Sequence, residues 1–221
     1  METVTTPKRT RLIEELRALR VIPVIRTRLA QEAQTAIQWL LDVGFRTFEV
    51  TLTVPDAISL IRDLSADRSL LIGAGTVPNE DTARSCIAAG ARFVVAPWID
   101  LTLAGPCRES DTLLMLGAAT PTEMRSALSA GADVVKIFPA ATAGGPAHIK
   151  ALRSVFPDVP ICPTGGIVPG DLTAYIAAGA DFVGMGGSLV DAAQIKAGNR
   201  EAIQAVGRDV LRNAKGERLQ A

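Results

Sequence analysis

The sequence predicts an α/β fold, a (β/α)8 (TIM) barrel with an extra N-terminal helix. Three observations support this: eight short apolar runs, helix-length segments between them, and one glycine-containing junction that occurs four times. Strands of a parallel sheet are buried on both faces, so they are expected to be almost continuously apolar, as these runs are. In a chain of 221 residues, a closed barrel explains this alternation better than an open sheet does.

Each element can be assigned in order along the chain. An amphipathic helix is predicted over residues 10–20 and a last outer helix over 200–214. The eight strand candidates between them are VIPVIR (21–26), TFEVTL (47–52), LLIGAG (70–75), FVVAP (93–97), LLMLGA (113–118), VVKIFP (134–139), ICPTGG (161–166) and FVGMGG (182–187). We expect a single domain over residues 1–221, in which residues 1–20 form a tail and a helix that closes the bottom of the barrel.

The repeated junction links a helix to the strand that follows it. It reads VGFRTFEV at Gly44, AGARFVV at Gly90, AGADVVK at Gly131 and AGADFVG at Gly179. Glycine is favoured just beyond a helix end, where φ is positive and a Cβ would be penalised. The alternative fold is a flavodoxin-like or Rossmann sheet. It is disfavoured because no GxGxxG motif follows a strand.

Composition narrows the classes of partner. The chain is 48% hydrophobic with a formal net charge of zero, so it has no general attraction to nucleic acid or to an anionic membrane. No stretch approaches the ~18 apolar residues of a membrane span, and the start METVTTPKRTR has no apolar signal region, so a cytoplasmic protein is predicted. Cys86, Cys107 and Cys162 are odd in number and show no CxxC spacing, which predicts reduced thiols.

Three strand candidates carry a charged residue in their middle or C-terminal half: Arg26, Glu49 and Lys136. A charge inside a barrel strand loses hydration and needs a partner or a purpose. The C-terminal strand ends form the active-site face of such barrels, so these three side chains are predicted to lie there.

Lys136 is the only one of five lysines that falls inside a strand candidate. A shielded lysine amine can add to a ketone and form a Schiff base, which accepts electrons from a breaking carbon–carbon bond. Glu49 could move protons to and from the substrate. Arg26 offers bidentate geometry for a carboxylate, and Thr76 a further hydrogen bond. The alternatives are a purely structural Lys136–Glu49 ion pair and a surface ion pair for Arg26.

Glycine-rich segments end the last two strand candidates. They read PTGGI (163–167) and GMGGSLV (184–190), at the positions where barrels commonly bind phosphate on backbone N–H groups. Ser188 adds a hydroxyl and is also expected to cap the following helix, while Thr164 lies at the mouth of the pocket. The alternative is that these glycines only make tight turns.

Other chemistries are disfavoured by the residues available. The single histidine, His148, lies in the helical stretch GPAHIKAL, which disfavours a Ser-His-Asp triad, and one histidine cannot make a multi-histidine metal site. It is predicted to lie on a helix surface or at an interface. Acidic residues at the strand ends are too few for a divalent-metal cage. A metal site is therefore not expected.

Over about residues 20–210 the sequence resembles the family of 2-keto-3-deoxy-6-phosphogluconate (KDPG) and 4-hydroxy-2-oxoglutarate (KHG) aldolases. The matching motifs are VIPVIR, GFRTFEVTLTVPDA, IGAGTV, TPTEM, AGADVVKIFPA, GGPAHIKALRSVFPDV, CPTGGI and GMGGSLV. The K-x-F-P run after a G-A-x junction is the part most specific to this family.

The resemblance implies a class I aldolase that cleaves a phosphorylated 2-keto acid, KDPG, to pyruvate and glyceraldehyde 3-phosphate. It implies that Lys136 forms the Schiff base and Glu49 moves protons, that no cofactor is needed, and that the protein is a homotrimer. The substrate-binding residues it implies are Arg26 and Thr76 at the carboxylate, Phe138 against the pyruvyl group, Thr164 beside the imine, and Gly165, Gly166, Gly187 and Ser188 towards the phosphate.

Two positions depart from the family pattern. Some members carry a carboxylate-binding arginine where this chain has Thr53, a duty that Arg26 is expected to take. Leu116 stands where a proline usually precedes Gly117, which leaves the shape of the nearby wall open. The alternative functions are an aldolase for the 6-phosphogalactonate epimer or for KHG, a phosphosugar isomerase or synthase, and a catalytically silent barrel.

Overall fold

The computed structural model describes residues 6–215, and its eight parallel strands form one sheet ordered β7-β6-β5-β4-β3-β2-β1-β8. The strands are β1 (Val21–Ile25), β2 (Thr47–Thr51), β3 (Leu71–Gly75), β4 (Phe93–Ala96), β5 (Leu113–Ala118), β6 (Val134–Ile137), β7 (Ile161–Pro163) and β8 (Val183–Met185). A parallel bridge between Thr164 and Gly184 joins the two ends of this order. The predicted (β/α)8 barrel is confirmed.

Helices alternate with the strands. They are α1 (Pro7–Leu19), α2 (Ala30–Val43), α3 (Ala57–Ser65), α4 (Glu80–Ala88), α5 (Ala104–Glu109), α6 (Pro121–Ser129), α7 (Gly145–Val155), α8 (Leu172–Ala177), α9 (Ala192–Lys196) and α10 (Arg200–Lys215). The N-terminal helix begins earlier than predicted, because the Thr6 hydroxyl caps it by accepting a hydrogen bond from the Arg9 N–H. The tail predicted over residues 1–5 lies outside the described residues. Between residues 6 and 215, no helix is long and apolar enough to cross a membrane.

The repeated junctions have the backbone geometry that the sequence predicts. Gly44, Gly90, Gly131 and Gly179, called the junction glycines below, have φ values of 113°, 105°, 95° and 106°. Because a Cβ penalises this region, glycine permits the chain to leave each helix and enter the next strand at once. Each junction glycine precedes an even-numbered strand: β2, β4, β6 or β8.

The last two strands are shorter than predicted. Strand β7 ends at Pro163 and β8 at Met185, whereas the strand candidates ran to residues 166 and 187. Gly165 and Gly166 have φ values of 100° and 73°, which an extended strand cannot accommodate. We call the turns that follow the β7 loop (164–168) and the β8 loop (186–191).

Two apolar cores hold the barrel together. One fills the space between strands and outer helices, and the other fills the barrel interior. Helix α1 contributes Leu12, Ile13 and Leu16 to the interior core and thereby closes the bottom of the barrel. This arrangement leaves the opposite end, at the C-terminal strand ends, open.

Candidate active site

A cavity of about 740 Å³ opens at the C-terminal ends of the strands. Small-molecule sites typically enclose ~300–1,000 Å³, so the cavity has room for a sugar acid. Nine predicted site residues line it: Arg26, Thr76, Lys136, Phe138, Thr164, Gly165, Gly166, Gly187 and Ser188. The tenth, Glu49, contacts Lys136.

Lys136 and Glu49 form an ion pair inside the barrel. The Lys136 Nζ donates to both carboxylate oxygens of Glu49, at 3.1 and 3.3 Å, and the two residues are 4% and 3% exposed. Gly75 on the neighbouring strand makes room for this pair, because a Cβ there would overlap the Glu49 carboxylate. An amine and a carboxylate in direct contact, with the amine facing a cavity, can exchange protons with a bound substrate.

Phe138 and Thr164 line the cavity together with Lys136. The Phe138 ring centroid is 5.9 Å from Lys136 Nζ, and the side chain is 40% exposed towards the cavity. Thr164 is buried directly after β7, against Gly184, where a Cβ would overlap its side chain. Both residues are therefore in position to contact a group attached to the lysine.

Arg26 is the first residue after β1 and is exposed at the cavity. Its guanidinium donates to the hydroxyls of Thr76 at 2.8 Å and Thr53 at 3.3 Å. It makes no ion pair with any residue from 6 to 215, so the surface ion-pair alternative is wrong. Thr53, which stands where some family members carry an arginine, orients Arg26. Its hydroxyl also contacts the Thr51 hydroxyl at 2.8 Å.

The β7 and β8 loops present unused backbone donors. The N–H groups of Gly165, Gly166, Gly187 and Ser188 donate no hydrogen bond to any other described residue. The Ser188 hydroxyl donates to the Ile167 carbonyl at 2.6 Å and so ties the two loops together. Free N–H groups around one cavity suit an anion such as phosphate.

The predicted capping role of Ser188 is wrong. Helix α9 begins at Ala192, and its cap is Asp191, whose carboxylate accepts from the Gln194 N–H at 2.9 Å. The hydroxyl of Ser188 is three residues too early to reach that helix and is held by the other loop instead.

His148 and the cysteines lie away from this chemistry. His148 is partly buried on α7, and its Nε2 donates to the Ala119 carbonyl at 2.6 Å. It lies on a helix as predicted, and its predicted place at the surface or at an interface stays a prediction. Burial raises the pKa of Cys86 to about 11 and the pKa values of Cys107 and Cys162 to about 12. Among residues 6–215, no three His, Cys, Asp or Glu side chains converge as metal ligands.

Several lining residues were missed by sequence reasoning. Pro97, Ile167 and Val168 line the cavity, but apolar residues after a strand resemble core residues in sequence. Their only signal was their place after strands β4 and β7, the same rule that singled out Arg26. Leu116, by contrast, is fully buried between sheet and helices and does not line the cavity.

The family assignment follows from comparison with known proteins. The sequence model of the family described as KDPG and KHG aldolase matches residues 12–206. The chain belongs to this family. The resemblance seen in the motifs is confirmed, and membership makes the chain an aldehyde-lyase rather than an isomerase, a synthase or a silent barrel.

Individual relatives of this aldolase agree. A 2-dehydro-3-deoxy-phosphogluconate aldolase of Treponema pallidum is 36% identical over 90% of this chain and 96% of its own length. A 2-dehydro-3-deoxy-6-phosphogalactonate aldolase of Escherichia coli is 34% identical over 80% of this chain and 87% of its own. The crystal structure of the Legionella pneumophila KDPG aldolase, with pyruvate captured as a covalent carbinolamine intermediate, matches with a TM-score of 0.81 and 34% identity, over 93% and 98% of the two chains.

Proposed function

We propose that this aldolase cleaves KDPG to pyruvate and glyceraldehyde 3-phosphate through a Schiff base on Lys136. The observation that carries the proposal is the Lys136 amine, which lies 3.1 Å from the Glu49 carboxylate and lines the cavity. The same cavity offers the Arg26 guanidinium and the free N–H groups of the two glycine loops. A substrate with a carboxylate, a ketone and a phosphate matches these groups.

The covalent step begins when the Lys136 amine adds to the ketone at carbon 2. Loss of water from the carbinolamine gives an iminium ion. Glu49 then takes the proton of the carbon 4 hydroxyl, the bond between carbons 3 and 4 breaks, and its electron pair moves into the iminium. Glyceraldehyde 3-phosphate leaves, and an enamine of pyruvate stays on the lysine.

The second half returns the enzyme to its starting state. Glu49, now protonated, delivers its proton to carbon 3 of the enamine, which regenerates an iminium ion. Water adds to carbon 2, and the carbon–nitrogen bond breaks to release pyruvate and the free amine. One carboxyl group can serve both proton transfers because it lies beside the amine on which both intermediates form.

The two ends of the substrate would be held by different elements. Arg26, oriented by Thr53 and Thr76, binds the carboxylate with charge-assisted hydrogen bonds. Gly165, Gly166, Gly187 and Ser188 bind the phosphate through their N–H groups. Phe138 packs against the pyruvyl group, and Thr164 lies beside the imine.

A second candidate substrate is the 6-phosphogalactonate epimer, which differs at carbon 4. It is favoured by the Escherichia coli relative named as an aldolase for that compound. KHG, which lacks the phosphate, would leave the loop N–H groups unused. Steady-state kinetics on the two epimers and on KHG, compared as kcat/KM, would rank the three substrates.

The test is mass spectrometry after incubation with pyruvate and sodium borohydride, which reduces an imine to a stable secondary amine. We expect a pyruvyl adduct on the peptide that carries Lys136. Lys136→Ala should give no adduct and essentially no turnover, whereas Lys150→Ala, an exposed lysine on α7, should behave as the parent does. An unmodified Lys136 in folded, active protein would overturn the proposal.

We also infer a cytoplasmic homotrimer of single-domain subunits. The resemblance to the family supports the trimer, the single sheet supports one domain, and a phosphorylated substrate is retained in the cytoplasm by its charge. Light scattering coupled to size-exclusion chromatography would test this assembly, with three times the 23.2 kDa chain mass as the expected result.

A further inference from the structure

A second cavity, of about 540 Å³, lies at the opposite end of the barrel, beneath the N-terminal strand ends. Helix α1 and the segments that lead into β2, β3 and β4 form its walls. Five cationic side chains line it, with one carboxylate, Glu15: the cations are Lys8, Arg11, Arg46, Arg68 and Arg92. We call it the basic cavity. It shares no lining residue with the candidate active site.

The one carboxylate of the wall is already engaged. Glu15 accepts from Arg11 at 3.1 Å along α1, which leaves four cations without an acidic partner in the wall. Asp67 follows α3 nearby and interacts electrostatically with Arg46, but it forms no ion pair with a cation of this wall. Its carboxylate accepts hydrogen bonds from the N–H and the hydroxyl of Ser69, at 2.9 and 2.7 Å. The chain as a whole has zero net charge, so this positive excess is local.

Of the three arginines without a carboxylate partner in the wall, only Arg46 has a structural explanation. Helices end at this face of the barrel, and cations are favourable at helix C-termini. Arg46 fits that role, because it donates to the carbonyls of Leu41 and Phe45 at the end of α2. Arg68 and Arg92 do not fit it, because neither side chain makes a hydrogen bond or an ion pair with any residue of the described range.

We propose that the basic cavity binds a small polyanion with two or more phosphate groups. Guanidinium groups favour phosphate because their forked N–H groups match its oxygens. The site is concave and within the ~300–1,000 Å³ range of small-molecule pockets, which favours a compact ligand over a nucleic acid strand. Arg68 and Arg92, whose side chains have no partner among residues 6–215, are the residues that bind it.

Calorimetric titration of the full-length protein with inorganic pyrophosphate tests the proposal. The variant is Arg68→Gln with Arg92→Gln. The matched control is Arg62→Gln with Arg125→Gln, which removes the same charge from exposed positions on α3 and α6, outside either cavity. Any pyrophosphate bound in the candidate active site contributes equally to both proteins, and circular dichroism with thermal unfolding checks that both are folded.

We expect the parent and the control to bind pyrophosphate at a site that the Arg68→Gln/Arg92→Gln protein lacks or binds roughly tenfold more weakly. Binding at that site should weaken as sodium chloride rises from about 0.05 to 0.3 M, because salt screens partly exposed charges. Titrations that are the same for the variant and the control, or an affinity that salt does not change, would overturn the proposal.

Discussion

At the scale of single residues, Lys136 and Glu49 carry a thermodynamic cost. Both are almost completely buried, and removing two ionisable groups from water costs more than their mutual attraction commonly returns. Such a pair is therefore weak support for stability by itself. A cost of this kind is understandable when the amine faces a cavity and performs chemistry there.

Glu49→Gln separates the proton-transfer role from the shape of the side chain. The amide keeps the volume and can still accept a hydrogen bond from Lys136, but it cannot take a proton. We expect kcat for KDPG cleavage to fall about 10²- to 10⁴-fold, while borohydride still traps pyruvate on Lys136. Glu201→Gln, an exposed change on α10, is the control. A kcat equal to that of the control would rule out Glu49 as the proton carrier.

Arg26→Gln tests how the carboxylate is bound. A charge-assisted hydrogen bond contributes about 1.5–3 kcal/mol, so KM for KDPG should rise roughly 10- to 100-fold with a smaller change in kcat. Arg28→Gln removes the next arginine along the chain, which is exposed and does not line the cavity, and should leave KM unchanged. If kcat falls and KM stays constant, Arg26 has another role.

The residues that sequence could predict are those that break a local rule. A lysine or a glutamate in an apolar strand is conspicuous, because burial penalises charge, and both Glu49 and Lys136 lie where that reasoning put them. Pro97 and Ile167 break no rule, and their place in the cavity wall depends on how loops from distant strands meet. Thr53 attracted attention only because it departs from the family pattern. Its hydrogen bond to Arg26 could not be predicted, because it depends on how two separate strands lie in the fold.

At the scale of elements, the β7 and β8 loops act as one unit. The Ser188 hydroxyl joins them through the Ile167 carbonyl, so the N–H groups of both loops are held around the same space. The sequence predicted these loops from their paired glycines but extended both strands too far. Strand ends were harder to predict because glycine is allowed in a strand and only its φ value reveals the turn.

Ser188→Ala is expected to affect phosphorylated substrates selectively. It removes the hydroxyl that links the two loops and so loosens the N–H groups that bind the phosphate, and a hydrogen bond between neutral groups contributes about 0.5–1.5 kcal/mol. KM for KDPG should therefore rise about 2- to 12-fold, whereas KM for KHG, which has no phosphate, should stay within about twofold. Ser154→Ala on the surface of α7 controls for a general loss of hydroxyl. Equal increases for the two substrates would contradict phosphate binding at this loop.

At the scale of the whole molecule, α1 is bound to the barrel by ion pairs of the buried Arg9. Arg9 donates to both carboxylate oxygens of Asp133, at 3.0 and 3.2 Å, and to Asp111 at 3.1 Å. Asp133 also accepts from the Leu114 N–H, so the network joins α1 to β5 and to the start of β6. The sequence predicted the helix at the bottom of the barrel but not this network, since an arginine on an amphipathic helix gives no sign of burial.

Arg9→Ala should destabilise the fold strongly. It removes the Arg9 guanidinium from a buried ion pair, a change that typically costs about 3–5 kcal/mol. Arg11→Ala, on the same helix, removes an 81% exposed side chain paired with Glu15 and should cost less than about 1 kcal/mol. Urea unfolding of both variants measures the difference, and equal losses would show that the buried network does not hold α1 in place.

The junction glycines have a consequence for the barrel interior, because they divide the chain into four quarters with a common plan. The fifth residue after each of them is, in turn, Glu49, Val95, Lys136 and Gly184. Alternate strands of such barrels contribute one layer of four interior side chains, and these residues occupy equivalent places on the four even strands. The proposed reaction therefore occurs in a single layer, in which Glu49 and Lys136 are the charged residues and Val95 and Gly184 the uncharged ones.

Replacing the two charged residues of that layer with apolar ones should show what the buried ion pair costs in stability. Replacing a buried ion pair with apolar side chains of similar size is often neutral or stabilising by about 1–4 kcal/mol. Glu49→Leu with Lys136→Met should thus give an inactive barrel at least as resistant to urea as the parent. A clear loss of stability would mean that the ion pair also stabilises the fold. Retained stability would mean that the charged residues of this layer serve catalysis and that apolar residues would pack there at least as well.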